Sequence, residues 1–340
     1  MPAITESPKK ILIVSPSWVG DAVMAQSLFK RLRERHKHLV LDVLAPAFCA
    51  PLFSRMVEVD DVIISPLKHG ELKIGSRYKI ASQLKERHYD QAIVLPNSLK
   101  SALVPFFASI PSRTGYVGEM RKGLLNDARI LQKSRYPLMV ERFSLLAENR
   151  DEPLRRPLKY PSLSSSPEQK KIIMEKLGLR PEKPVVVFCV GAEYGPAKRW
   201  PARHFARLAE MLVERYEIWL IGSKKDREIG DEIRSNAPCV NLCGQSELDE
   251  AIDLISLSSF VVSNDSGLMH VAAALDRPML AIYGSSSPAF TPPLSSRAKI
   301  VKLELPCSPC FERNCPLGHF DCMTKLNPEA VYERILEQLP

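Results

Sequence analysis

No apolar run in the 340 residues approaches the ~18 needed to cross a bilayer. The first ten residues lead straight into an apolar strand, without the long apolar core and cleavage site of a signal peptide. These absences predict a cytosolic chain. In that compartment eight cysteines read as thiols or metal ligands rather than disulfides. The sequence also lacks a Walker motif, and the loop after its first strand holds one glycine where a dinucleotide-binding loop would show G-x-G-x-x-G. A nicotinamide dehydrogenase is therefore a poor fit.

What is present is ordinary in amount: 45% hydrophobic and 25% charged residues describe a globular protein. The length predicts two domains. The net charge of +8 is unevenly placed: residues 1–160 hold 26 Lys and Arg against 16 Asp and Glu, while residues 161–340 hold 21 against 23. A basic half joined to a near-neutral half predicts that the first domain meets an anionic partner. The basic residues are dispersed, and no RNA- or DNA-binding signature accompanies them, so nucleic acid is not that partner. An anionic membrane surface or a phosphorylated acceptor fits.

Short β-rich apolar runs alternate with helical periodicity, and the alternation occurs twice. Strands are predicted at residues 10–17, 40–45, 62–65 and 91–96, with helices at 21–35, 73–87 and 98–110. Prolines and a serine cluster at 149–167 mark a linker. The second series has strands at 185–190, 218–221, 259–263 and 279–283, with helices at 202–215, from 226, at 267–275 and at 328–339. The pattern predicts two doubly wound α/β domains, 1–160 and 161–340, facing each other across a cleft at the carboxyl ends of their strands.

Three strand ends carry residues suited to chemistry. After the first strand, Ser-Trp-Val-Gly-Asp places Asp21 at the start of a helix, as an N-cap or as an exposed general base. After the first strand of the second series, residues 191–201 (GAEYGPAKRWP) bring Lys198 beside a helix start. It is either a solvated charge or a phosphate ligand. The strand ending in Asn264-Asp265-Ser266-Gly267 runs directly into a helix, whose first N–H groups form an anion site. His270 follows one turn later, where a lone histidine is more often packed than chemical.

Taken together, Gly20-Asp21, AKRWP at 197–201 and SNDSGLMHVAAAL at 263–275 resemble the ADP-heptose–lipopolysaccharide heptosyltransferases (glycosyltransferase family 9). These are inverting enzymes of the two-domain GT-B fold. Residues 96–103 (PNSLKSAL), 113–116 (RTGY), 118–121 (GEMR) and 123–127 (GLLND) extend the resemblance over most of residues 10–325. It implies transfer of L-glycero-D-manno-heptose from ADP-heptose onto the first heptose of the lipopolysaccharide inner core. Asp21 would be the catalytic base and Lys198 the residue that neutralises the departing ADP phosphates. Asp265, Ser266, Gly267 and His270 would form the nucleotide-sugar site, and Ser223 and Lys224 would lie at the ribose. Some relatives carry an acidic residue where this chain has Lys224. No D-x-D metal motif occurs, so no cofactor is expected.

The resemblance also implies a lipid-linked, anionic acceptor (heptosyl-Kdo2-lipid A) and attachment at the inner-membrane cytoplasmic surface. Asn97, Lys100, Arg113 and Arg121 are the acceptor candidates. Cys307, Cys310, Cys315 and Cys322 are spaced as a candidate structural zinc site, while reduced thiols packing a loop are the alternative. Cys49, Cys189, Cys239 and Cys243 read as small buried residues. The alternatives are a family member acting on a core with no heptose or with two, a nucleotide-sugar epimerase, and a non-catalytic nucleotide-sugar- or anion-binding module.

Overall fold

A computed structural model of the chain describes residues 8–67 and 70–338. These fall into two compact units, the first ending at Pro161 and the second beginning at Ser162. In the first, β1 (Lys9–Val14), β2 (Leu39–Pro46), β3 (Asp61–Ser65), β4 (Gln91–Val94), β5 (Ser112–Tyr116) and β6 (Asp127–Arg129) form one sheet. Its order is β3-β2-β1-β4-β5-β6, and every pairing is parallel. Ile11, Leu12 and Ile13 of β1 are wholly buried, because helices cover both faces of the sheet.

The second unit repeats this plan. Its strands are β7 (Val185–Cys189), β8 (Glu217–Ile221), β9 (Val240–Asn241), β10 (Phe260–Asn264), β11 (Met279–Ile282) and β12 (Ala298–Val301). They run in the order β12-β11-β10-β7-β8-β9, again wholly parallel. Each sheet reverses its order of addition beside its first strand, at β1/β4 and at β7/β10. The crossover helices diverge there and leave a crevice over the carboxyl ends of the strands. The resulting architecture is the GT-B type of α/β fold.

The eight predicted strands are all present. Four more, β5, β6, β9 and β12, carry no apolar run: β6 is Asp-Ala-Arg and β9 is Val-Asn, and each ends its sheet. The proline–serine stretch also ends earlier than predicted. Ser166 accepts from the Gln169 N–H at 3.2 Å and its own N–H donates to Gln169 Oε1 at 2.9 Å, a capping box with Pro167 in the first turn of the helix Pro167–Leu177. The final helix, predicted to reach residue 339, runs Pro328–Leu336, and residue 339 itself lies outside the described residues. No helix among the described residues is long and apolar enough to cross a membrane.

One buried side chain fixes the loop after β7. The Asn264 amide, wholly buried, donates to Val190 O at 2.7 Å, and its carbonyl accepts from Trp200 N at 3.0 Å. The indole of Trp200 donates in turn to Leu326 O at 2.9 Å. Both ends of residues 191–199 are thereby tied to β10. Asn264→Ala would strand two buried backbone groups, at roughly 1–3 kcal/mol each. We expect a loss of about 2–4 kcal/mol in the second unit, seen calorimetrically as a melting point lowered by several degrees. A variant within 0.5 kcal/mol of the parent would show that the clamp is not structural.

Candidate active site

The β7/β10 crevice holds Lys198 and Asp265 on adjacent strand ends. Lys198 closes the short 3-10 turn Pro196–Lys198, and its ammonium lies 2.6 Å from Asp265 Oδ2. Both groups are largely withdrawn from solvent, with side-chain exposures of 16% and 3%. The hydroxyl of Ser286, from the segment after β11, donates to the same carboxylate oxygen. Tyr194 offers its ring to the ammonium, 5.0 Å from the centroid. The carboxylate is thus held by two donors and holds the lysine at the crevice.

Beside this pair the helix Gly267–Ala274 begins. Its N-cap, Ser266, lies in extended backbone and makes no capping bond, and its buried Oγ has no partner among the described residues. A serine in this position usually satisfies an N–H of the first turn. Here the hydroxyl and the positive end of the helix are left for a different acceptor. His270 is buried. Burial drives its pKa down; Asp265 partly opposes this, Lys198 adds to it, and the value reaches about 4. At neutral pH the imidazole is uncharged.

Ser223 and Lys224, both exposed, follow β8. Ser223 Oγ donates to Asp226 Oδ2 at 2.7 Å, and the Ser223 N–H reaches the same oxygen at 2.9 Å. Asp226 is buried and fills the space against Gly191, where an added Cβ would lie 2.4 Å from Asp226 Oδ2. Asp226, Ser286 and Asn264 shape this crevice, yet sequence reasoning assigned no role to any of them. For Asn264 the available signal was a polar residue closing an apolar strand; Asp226 and Ser286 lie further along their loops. A cavity of about 420 Å³, bordered by Pro184, Ser259 and Pro278, lies at the amino ends of β7, β10 and β11. Strand polarity sets it apart from the chemistry described here.

In the first unit Asp21 sits in the first turn of the helix Val19–Arg35, directly after β1. The N-cap there is Trp18, so Asp21 is not a cap. It is half-buried, and its helix is anchored by Arg31, whose Nε and Nη2 reach Glu148 at 2.7 and 3.0 Å. The neighbouring strand end, after β4, carries exposed Asn97 and half-buried Lys100.

The other two acceptor candidates are placed differently. Arg113 stands at the amino end of β5, whereas Asp21 and Asn97 follow the carboxyl ends of β1 and β4. Its guanidinium donates to Leu124 O and Ile110 O at 2.6 and 2.5 Å. Arg121 is only 1% exposed. It donates to Tyr116 O, Pro96 O, Ser101 Oγ and Asn97 Oδ1, which leaves no N–H for a ligand. Burial lowers its pKa to about 10, with Glu119 partly opposing. The expectation of direct acceptor contact is therefore corrected for Arg121, which orients Asn97; Arg113 braces its loop through Nε and Nη1.

The four C-terminal cysteines line one small cavity together with Ala197, Ser285 and His319. Among the described residues no group of three or more His, Cys, Asp or Glu is arranged to hold a metal ion. All eight cysteines are free thiols; Cys49, Cys189 and Cys243 are buried, and Cys239 is half-buried.

Residues 77–321 match the profile of glycosyltransferase family 9 (heptosyltransferase). Lipopolysaccharide heptosyltransferase 2 of Escherichia coli K12 is 48% identical over 338 residues, spanning 96% of this chain and 97% of that protein. Lipooligosaccharide heptosyltransferase 2 of Haemophilus influenzae Rd is 45% identical over 97% of this chain and 99% of its own length. The solved structure of E. coli ADP-heptose LPS heptosyltransferase II superposes with a TM-score of 0.88 at 46% identity, covering 97% of this chain and 98% of that one. With a profile match over most of its length and full-length relatives of this similarity, the chain belongs to glycosyltransferase family 9, the heptosyltransferases.

Proposed function

We propose that the protein transfers L-glycero-D-manno-heptose from ADP-heptose to the first heptose of the lipopolysaccharide inner core, inverting the anomeric centre and releasing ADP. The observation that carries the donor side is the β7/β10 crevice: a half-buried lysine, a helix start and an orphaned hydroxyl at Ser266 converge there. All three favour anionic oxygens. In the displacement, the acceptor oxygen bonds to the anomeric carbon as the bond to the ADP oxygen breaks. Asp21 takes the acceptor's proton. Lys198 and the Ser266–Gly267 turn oppose the charge that builds on the leaving diphosphate. Asp265 and Ser286 position Lys198, and neutral His270 offers a hydrogen bond rather than a charge. Ser223 and Lys224 border the nucleotide.

The basic first unit supplies the acceptor side. Its excess of Lys and Arg suits the carboxylates and phosphates of a heptosyl-Kdo2-lipid A acceptor and draws the enzyme to the anionic cytoplasmic face of the inner membrane. Lys100 and Asn97 are the acceptor contacts we favour, with Arg121 holding Asn97 in place. Incubating ADP-heptose with cores bearing zero, one or two heptoses tests the reading. Release of ADP is expected only with the one-heptose core; release with another core would assign a different acceptor, and release without any acceptor would refute transfer.

Asp21→Asn keeps the side chain's shape but removes the proton acceptor. Turnover should fall about 10²–10⁴-fold while ADP-heptose affinity holds. A variant with most of its activity would remove Asp21 as base. Lys198→Ala should lower turnover about 10²–10³-fold and weaken ADP, leaving the acceptor's Michaelis constant unchanged. The reverse pattern would mean that donor and acceptor units are exchanged. Because lysine and helix start take the place of a metal ion, the initial rate should survive EDTA. A strict Mg²⁺ requirement would show the diphosphate site to be misread.

A further inference from the structure

The segment between Cys307 and Cys322 is docked against the loop that carries Lys198. Tyr194 Oη donates to Phe311 O at 2.6 Å, and the Ala197 N–H donates to Arg313 O at 3.1 Å. At Gly195 an added Cβ would sit 2.4 Å from Arg313 O, so only glycine lets the two backbones meet. From the other side, Phe311 N donates to Ser285 O at 2.6 Å and Ser308 Oγ to Gly284 O at 2.7 Å. Phe311 adopts a left-handed φ of 59°, a conformation that costs energy for an aromatic residue and is kept here by those contacts.

The outcome of this docking is the position of Arg313. Its guanidinium carbon lies 5.1 Å from the centroid of the Tyr194 ring, and Lys198 Nζ lies 5.0 Å from the same centroid. The two cations are therefore no more than about 10 Å apart. Arg313 is exposed and has no carboxylate partner among the described residues. Arg313 thus brings an uncompensated positive charge to the same ring that faces Lys198. Lys198 is already neutralised by Asp265, so it cannot by itself balance a diphosphate.

We propose that Arg313 is a second cation of the donor site, binding the diphosphate of the nucleotide sugar opposite Lys198, with the four-cysteine segment serving as its mount. This rests on the reading of Lys198 and Ser266 as the diphosphate site. Arginine suits the task because its fork can meet two phosphate oxygens at once.

Calorimetric titration of ADP and AMP into the full-length protein tests it, with Lys198→Ala, Arg313→Gln, Arg313→Lys and Gly195→Ala as variants. Arg313→Gln should weaken ADP about tenfold or more and AMP much less, since AMP lacks the second phosphate. Arg313→Lys should recover part of the loss. Gly195→Ala, which pushes the Arg313 carbonyl away, should reproduce the Gln result. The ADP deficit should shrink as salt is raised. If Arg313→Gln binds ADP within twofold of the parent while Lys198→Ala is weakened, Arg313 has no such role and the donor site stands. Equal weakening of ADP and AMP would also overturn the assignment to the diphosphate. If Lys198→Ala binds ADP as the parent does, the donor-site reading itself fails, whatever Arg313 does.

Discussion

A lysine and an aspartate withdrawn from water beside a helix start form the contact around which the second unit is organised. Burying such a pair costs desolvation that the mutual attraction repays only when geometry is good and the remaining valences are filled. Here both conditions are met. Asp265 Oδ2 takes Lys198 and Ser286 together, and Asn264, one residue earlier, pins both ends of the lysine's loop. The pair holds the ammonium ready at a strand end. On the proposed function, an incoming phosphate would compete for a cation already largely withdrawn from water, where each charge counts for more than it does in bulk solvent.

The same architectural rule governs both units. A wholly parallel sheet, with its order reversing beside the first strand, leaves a crevice at the carboxyl ends, and each unit sets its candidate site residues there. In the first unit the group is Asp21, on a helix tied down by the bidentate Arg31–Glu148 contact. In the second it is Lys198 with the Gly267 helix start. We propose that chemistry is divided accordingly, with a carboxylate for the proton and cationic groups for the phosphates.

How much of this could be read from the sequence follows from what makes a pattern visible. Strands buried on both faces are continuous apolar runs, so β1, β7 and β10 were legible, and with them the loop positions of Asp21, Lys198 and Asp265. Edge strands bury little and carry no such run, which is why β6 and β9 went unseen. The arginines were the hardest to judge. A guanidinium can serve a ligand or five backbone and side-chain acceptors of its own protein, and sequence does not separate the two. Arg121 turned out to be buried and spent in this way. Ser286 and Arg313 come from segments far from Lys198 in sequence, and only the folded chain brings them beside it. The cysteine spacing suggested zinc; in the fold the four thiols border one small cavity.

The central claim is that the nucleotide's phosphates rest on Lys198 and the start of the Gly267 helix. A crystal structure of the protein with ADP tests it most directly. The account predicts phosphate oxygens within hydrogen-bonding distance of Lys198 Nζ, Ser266 Oγ and the first backbone N–H groups of that helix. Phosphates bound elsewhere, with Ser266 Oγ still unpartnered and Lys198 still closed on Asp265 alone, would contradict it.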